Sequence, residues 1–206
     1  MSGADRRLVL VSGAPGSGKS TLAGPLAAEL GFALLSKDTI KETLHDQLGD
    51  AGELGAGYEL AWSRRLGAAA MELLWMLAGL APAVVLEANF WPDDERVADR
   101  IRGLPGALVE VYCNCPVPVA LSRYARRAGG RHPAHAEARR NLTAADYARY
   151  GRPVGVGELI VVDTTAAVEI AELAFEVVAR IAAAGLDSGG NPDAGTAPGL
   201  AGVSPS

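Results

Sequence analysis

Gly13-Ala14-Pro15-Gly16-Ser17-Gly18-Lys19-Ser20-Thr21 is the stretch whose reading decides the fold of this chain. Gly13, Gly18, Lys19 and Ser20 stand on the fixed positions of the pattern G-x-x-x-x-G-K-[ST]. The flanks agree with it. Leu8-Val9-Leu10-Val11 is a short aliphatic and β-branched run of the kind a buried strand needs. Behind the loop, Leu22, Leu26 and Leu30 recur with Ala23 and Ala27 at helical spacing. Strand, glycine loop and helix in that order turn successive N–H groups and the positive helix end towards phosphate oxygens. Lys19 is expected to reach the β- and γ-phosphates, and the Ser20 hydroxyl to ligate Mg²⁺. The stretch predicts a site for a nucleoside triphosphate.

Around that loop, 206 residues suffice for one α/β domain with a substantial core. The 49% hydrophobic and 21% charged content is that of a soluble globular chain. A formal net charge of −5 argues against a nucleic-acid partner held by phosphate contacts. Lysine occurs only at Lys19, Lys37 and Lys41, so sixteen of the 19 basic residues are arginine. Asp5, Arg6 and Arg7 precede the first strand directly, with no apolar signal core. The apolar stretch from Leu66 to Leu80 holds Glu72 and stops before Pro82, too short and polar to span a bilayer. Cys113 and Cys115 are too close on an extended segment for a disulfide and have no neighbouring zinc ligands. A cytoplasmic enzyme is the expectation, and no stretch specifies an oligomeric state.

Four further strands are predicted: Ala33-Leu34-Leu35, Ala83 to Leu86, Leu108 to Tyr112 and Leu159 to Val162. The capping-box spacing of Thr39 and Glu42 places a helix start there, running to about Leu48. A long helix is expected from Tyr58 to Leu80, and others from about Asp93 to Arg102, from Pro116 or Pro118 towards Gly129, from Ala134 to Tyr150, and from Ala166 to about Ala184. Residues 185–206 carry little to bury and read as a disordered tail after a domain spanning residues 1–184. Alternating strands and helices predict an α/β fold, a five-stranded parallel sheet with helices on both faces. Ligands of such sheets sit at the carboxyl ends of the strands.

Those ends carry the candidate chemistry. Asp38, after the second strand, could take the proton of an attacking hydroxyl, or could simply favour a helix start. Glu87 ends the third strand, where an acidic residue near Mg²⁺ is expected. Asn89, Phe90 and Trp91 then project over a substrate cleft or cover the core. Arg123, Arg127 and Arg131 are spaced by four and, on a continuing helix, share one side; they could close over a triphosphate or form a solvated face. His132 and His135 lack further metal ligands, and His132 is a candidate substrate contact.

With these residues in view, the chain resembles the phosphate-loop small-molecule kinases that include chloramphenicol phosphotransferase, the zeta toxins and the kinase domain of polynucleotide kinase. The resemblance covers nearly all of Leu8 to Ala183. Its pieces are GAPGSGKST, LLSKDTIKE, VVLEANFW, CPVPVALSRYARR with the following RHPAH, and ELIVVDTT. It implies a three-layer fold with a small arginine-rich lid over about residues 123–140. It implies ATP and Mg²⁺ as cofactors, Asp38 as general base, and Arg123 near the adenine. It also places Arg127 and Arg131 in the lid, with Thr164 and Thr165 in the loop passing the adenine edge. Glu87 departs from the family, many of whose members carry Asp there, and Tyr58 to Leu80 matches no named segment.

The implied reaction is transfer of the γ-phosphate to a small-molecule hydroxyl, such as that of an antibiotic, nucleoside or sugar derivative. A polynucleotide 5′-hydroxyl kinase is the alternative, against which the acidic balance weighs. A GTP-dependent switch lacks its N-K-x-D guanine motif in this chain.

Overall fold

A computed structural model describes residues 6–49, 58–135 and 142–187. Strands β1 (Arg7–Ser12), β2 (Ala33–Ser36), β3 (Ala83–Glu87), β4 (Ala107–Asn114) and β5 (Glu158–Asp163) form one sheet in the order β2-β3-β1-β4-β5. Every pairing is parallel, with Val11 opposite both Glu87 and Val111 and Ser36 opposite Glu87. The expected five-stranded parallel α/β sheet is therefore the observed one.

The helices are α1 (Lys19–Leu30), α2 (Lys37–Leu48), α3 (Glu59–Leu80), α4 (Glu95–Arg102), α5 (Val117–Arg127), α6 (Ala144–Ala148) and α7 (Ile170–Asp187). Strand parity decides which of them pack where, because successive side chains point to opposite faces. Val9, Val11, Val109 and Val111 point to one face, where Leu22 and Leu26 of α1 meet Leu173 and Val177 of α7. Leu8, Leu10, Val84 and Leu86 point to the other, under Leu74 and Trp75 of α3 and Ile101 of α4. Fully burying a side chain of this size contributes roughly 1.5–3 kcal/mol, so the double-sided core gives a rigid frame for the strand ends.

One acidic residue sits inside that frame. Glu110 of β4 is 0% exposed and accepts from the Ser12 hydroxyl at 2.5 Å and from the N–H groups of Val154 and Gly155 at 2.8 and 2.9 Å. It ties the segment preceding β5 to the middle of the sheet.

Several element boundaries differ from the sequence expectation, each for a local reason. α2 begins at Lys37, not near Thr39, because the chain turns into helix straight off β2. Its N-cap Ser36 makes no capping bond, since its hydroxyl donates to Glu87. The capping box lies instead at Thr143 and Asp146, where it starts α6 inside the stretch expected as one helix from Ala134 to Tyr150. Ala134 and His135 precede it outside any helix. α7 starts at Ile170, after a turn held by the Thr165 N–H bond to Asp163, and runs to Asp187, past Ala184. The rest of the expected tail, residues 188–206, lies outside the described residues, as do residues 136–141 of the expected lid. Among the described residues no helix is long and apolar enough to cross a membrane.

Candidate active site

β1 delivers the glycine loop to the carboxyl edge of the sheet, and the loop conformation requires its glycines. Gly13 has φ 132°, and a Cβ there would stand 2.8 Å from the Cys113 carbonyl oxygen. Gly16 has φ 82°, and its Cβ would collide with the Ala120 carbonyl of α5. Only a residue without a side chain fits both the left-handed backbone and the close approach. Lys19, 5% exposed, donates to the Ala14 carbonyl at 2.7 Å, closing the loop over its own head group. Burial lowers its pKa to about 8 against the pull of Glu87. A triphosphate would restore the negative charge that this buried ammonium lacks.

The β5–α7 turn backs the loop. Thr164 donates through its hydroxyl to the Ser17 carbonyl at 2.6 Å. Arg123 of α5 then clamps the turn, donating to the Thr164 and Thr165 carbonyls at 2.8 and 2.9 Å. Arg123 and Thr164 thus line one cleft of about 660 Å³ with Gly16, Gly18 and Thr21, while Thr165 supports it from behind. Leu22, Pro25, Val168 and Ile170 give that cleft apolar walls suited to a flat base.

At the next strand end the donors are all oxygen. Ser20 Oγ lies 3.2 Å from Glu87 Oε1, and Glu87 Oε2 accepts from the Ser36 hydroxyl at 2.7 Å. Adjacent corners of an octahedron with Mg–O bonds near 2.1 Å are about 3 Å apart, so Ser20 and Glu87 fit a shared Mg²⁺. In the sequence Ser36 has a place at a strand end but no role; its register opposite Glu87 is what makes it an anchor.

Asp38, in the first turn of α2, forms the hinge of the site. It lines a small gap of about 40 Å³ together with Lys19, Ser20, Glu87, Arg127 and Arg131. It also lines a second, larger cleft of about 630 Å³. Burial pushes its carboxyl up, but Lys37, His135 and Arg131 outweigh that and hold it below the ordinary carboxylate range. The Lys37 ammonium is 3.4 Å from it and the Arg131 guanidinium 3.1 Å. The group is an anion at neutral pH.

The arginine segment reaches the site by a broken path. α5 ends at Arg127, Ala128–Gly130 form a 3₁₀ turn, and Arg131 follows in extended backbone. The three arginines therefore do not share one helical face, yet Arg127 and Arg131 both line the central gap. The Arg131 guanidinium also lies over the Tyr124 ring, 5.5 Å from its centre.

The large cleft is lined by Asn89, Phe90 and Trp91. Phe90 is 1% exposed and packs on Trp75, so it is floor and core at once. Trp91 forms the wall, its ring N–H donating to the Tyr150 hydroxyl at 2.7 Å. His132 is not among the lining residues. Its Nε2 is 3.0 Å from Asp46 on α2, while its Nδ1 accepts from the Ala134 N–H at 3.2 Å. With Nδ1 used as acceptor, the neutral ring's proton sits on Nε2 and points at Asp46. His45 stands beside this pair, but His132 then has no free nitrogen for a metal. His135 lines the cleft in its place, 6% exposed, with Nε2 2.9 Å from Glu42 Oε1. Burial lowers its pKa against the charges of Asp38 and Glu42.

The strand order, the glycine loop after β1 and the carboxylate ending β3 define a phosphate-loop protein of kinase-like fold. Residues 8–149 match the AAA domain family, and the chain belongs to that family. An uncharacterized protein of Mycobacterium tuberculosis is 34% identical over 145 residues, 67% of this chain and 29% of that protein. The chain thus spans under a third of the length of this curated relative. A candidate kinase from Chloroflexus aurantiacus, known as a crystal structure, is 29% identical with a TM-score of 0.68, covering 85% of this chain and 98% of its own. The APS kinase of Mycobacterium tuberculosis shares the fold at 23% identity and a TM-score of 0.52, covering 87% and 99%.

Proposed function

We propose that this chain is an ATP-dependent phosphotransferase that moves the γ-phosphate to a hydroxyl of a small molecule. One observation carries the reading: Asp38 lines both the gap that holds Lys19, Ser20 and Glu87 and the separate large cleft. Two clefts of about 660 and 630 Å³ meet at that gap, one behind the phosphate loop and one beyond Asp38. A nucleotide and an acceptor bound in them would face each other across a carboxylate.

In this reading the base stacks near Thr164 and the phosphates lie in the N–H groups of residues 13–21. Lys19 leaves the Ala14 carbonyl for the β- and γ-phosphate oxygens. Ser20 and Glu87 would hold Mg²⁺, whose charge would offset that of the phosphates. The acceptor oxygen attacks the γ-phosphorus as the bond to the β–γ bridging oxygen breaks, and its proton passes to Asp38. ADP leaves with that bridging oxygen. Arg127 and Arg131 offset the charge that spreads over the transferring group. The likeness to the Chloroflexus candidate kinase supports this reading.

The test is a transfer screen with γ-labelled ATP, Mg²⁺ and a panel of hydroxyl compounds. The expected result is labelled acceptor formed by the native chain and lost in the Asp38→Asn variant. ATP binding without transfer to any acceptor, with ADP release indifferent to Asp38, would overturn the assignment.

A further inference from the structure

The wall of the large cleft facing Asp38 is built by α3, a segment whose chemistry the sequence left unread. Arg64, Gly67, Ala68 and Met71 all line the cleft, and their spacing of i, i+3, i+4 and i+7 puts them in one stripe. Gly67 is the gap in that stripe. A Cβ there would lie 3.7 Å from the Lys37 Nζ, so the ammonium rests directly on the helix. Arg64 stands one turn earlier on the same face. Two cations from different helices, Arg64 and Lys37, therefore line the same cleft.

Their counter-charges do not match. The carboxylates lining the cleft are Asp38 and Asp94. Asp94 caps α4 and is held by the Arg96 guanidinium at 3.1 Å. Asp38 is already shared by Lys37 and Arg131. Arg64 is exposed and has no hydrogen bond or ion pair among the described residues. An arginine lining an open cleft, with an ammonium resting on the same helix one turn further along, offers cations for the two oxygens of a carboxylate or phosphate.

We propose that the phosphoryl acceptor carries its own oxyanion, a carboxylate or a phosphate, bound between Arg64 and Lys37 over the backbone of Gly67. The inference rests on the phosphotransferase reading and narrows it to hydroxy acids or hydroxyl-bearing phosphate esters. The anion fixes one end of the acceptor at α3, so that a hydroxyl elsewhere in the molecule meets Asp38. Trp91, Tyr124 and Tyr150 supply an aromatic wall for whatever lies between.

The test uses the full chain saturated with Mg²⁺ and the non-hydrolysable analogue AMPPNP, which occupies the phosphate loop. Sodium acetate probes the carboxylate and sodium sulfate the tetrahedral anion, each titrated against sodium chloride of equal ionic strength. Saturable binding of at least one anion, read by calorimetry, is expected in the native chain. Arg64→Gln and Lys37→Gln should each weaken it by about tenfold, the scale of one lost charge-assisted hydrogen bond. Melting temperature verifies that both variants fold. A second arm compares transfer to hydroxy acids, to their carboxamides, and to sugar phosphates beside the parent sugars. Preference for the charged member, erased by Arg64→Gln, is expected. No saturable binding beyond chloride, equal binding in Arg64→Gln, or equal transfer to charged and neutral members would each overturn the inference. Failure of AMPPNP to bind would instead strike at the phosphotransferase reading.

Discussion

Arg131 Nη2 stands 3.1 Å from Asp38 Oδ2, so this arginine and the proposed base hold each other across 93 positions of sequence. Each is about a third exposed, 29% for Arg131 and 31% for Asp38, which keeps the pair within reach of a competing ligand. The pairing ties the position of Arg131 to the chemistry of the base. While Arg131 lies on Asp38, the carboxylate is a weak proton acceptor. A γ-phosphate offers Arg131 a more highly charged partner, and transfer of the arginine to it would leave Asp38 more basic.

Arg131→Ala should therefore do two things. It should lower kcat by about 10² or more, through loss of charge stabilisation at the transferring group, with a smaller effect on the KM for ATP. It should also move the acid limb of the kcat/KM profile upward in pH. The sign follows from the causes: burial raises the Asp38 pKa, Arg131 is among the groups that lower it, and removing one of these lets it rise. An unchanged kcat and an unmoved acid limb would return Arg131 to a solvated surface role.

Asp38→Asn keeps the shape of the side chain but cannot accept a proton. Transfer should fall by roughly 10²–10⁴, the usual scale for a lost general base. Asp38 lies behind the N-cap Ser36 and its pair with Arg131 is part-exposed, so melting temperature should change little. Normal transfer by this variant would make Asp38 a charge at a helix end and send the search for a base to Glu87.

Lys19→Ala removes a cation that the loop already holds at its own carbonyl. Phosphotransfer should drop by about 10²–10³ or more, as for other lost charge-stabilising donors. The far-ultraviolet circular dichroism spectrum should be retained, because the residue is tied to the loop and takes no part in the hydrophobic clusters. Near-normal turnover would contradict the phosphate-loop assignment.

Glu110→Ala tests the frame. The substitution strands the buried Ser12 hydroxyl and Val154 N–H and removes the acceptor of the part-buried Gly155 N–H bond. Each unsatisfied buried group costs about 1–3 kcal/mol, so a total loss of about 2 kcal/mol or more is expected in urea denaturation. A loss under about 1 kcal/mol would show that the segment before β5 is held by other contacts.

The pH dependence of stability should carry a His135 signature. Burial holds its pKa below the ordinary histidine value of 6.5, so the folded ring takes a proton less readily than the unfolded one. The unfolded state then binds more protons as the pH drops below about 6.5, and stability falls through that window down to the folded pKa. His135→Gln should flatten the fall in melting temperature between about pH 7.5 and 5. Parallel curves for the two proteins would show that His135 does not contribute.

The sequence by itself determined the sheet, the phosphate loop and Asp38. Those features are written locally. A buried parallel strand reads as a run such as Leu8 to Val11, and a phosphate-binding turn needs glycine at fixed offsets. The strand-end rule then puts Asp38, Glu87 and Asn89 to Trp91 on one edge. The helix starts were less legible, because the Thr39 and Glu42 spacing predicted a start that the fold does not use. Ser36 was diverted to Glu87 and α2 began early, while Thr143 and Asp146 closed their own box. What tertiary structure alone decided is which distant residues share a wall. Arg64 and Lys37 line one cleft because α2 and α3 pack side by side, with Gly67 leaving room for the ammonium. His135 faces the cleft and His132 does not, because a turn at residues 132–135 aims one ring at Asp46 and the other at Glu42. Side-chain spacing in sequence sets which residues lie on one face of one element, whereas a binding site is made where faces of several elements meet.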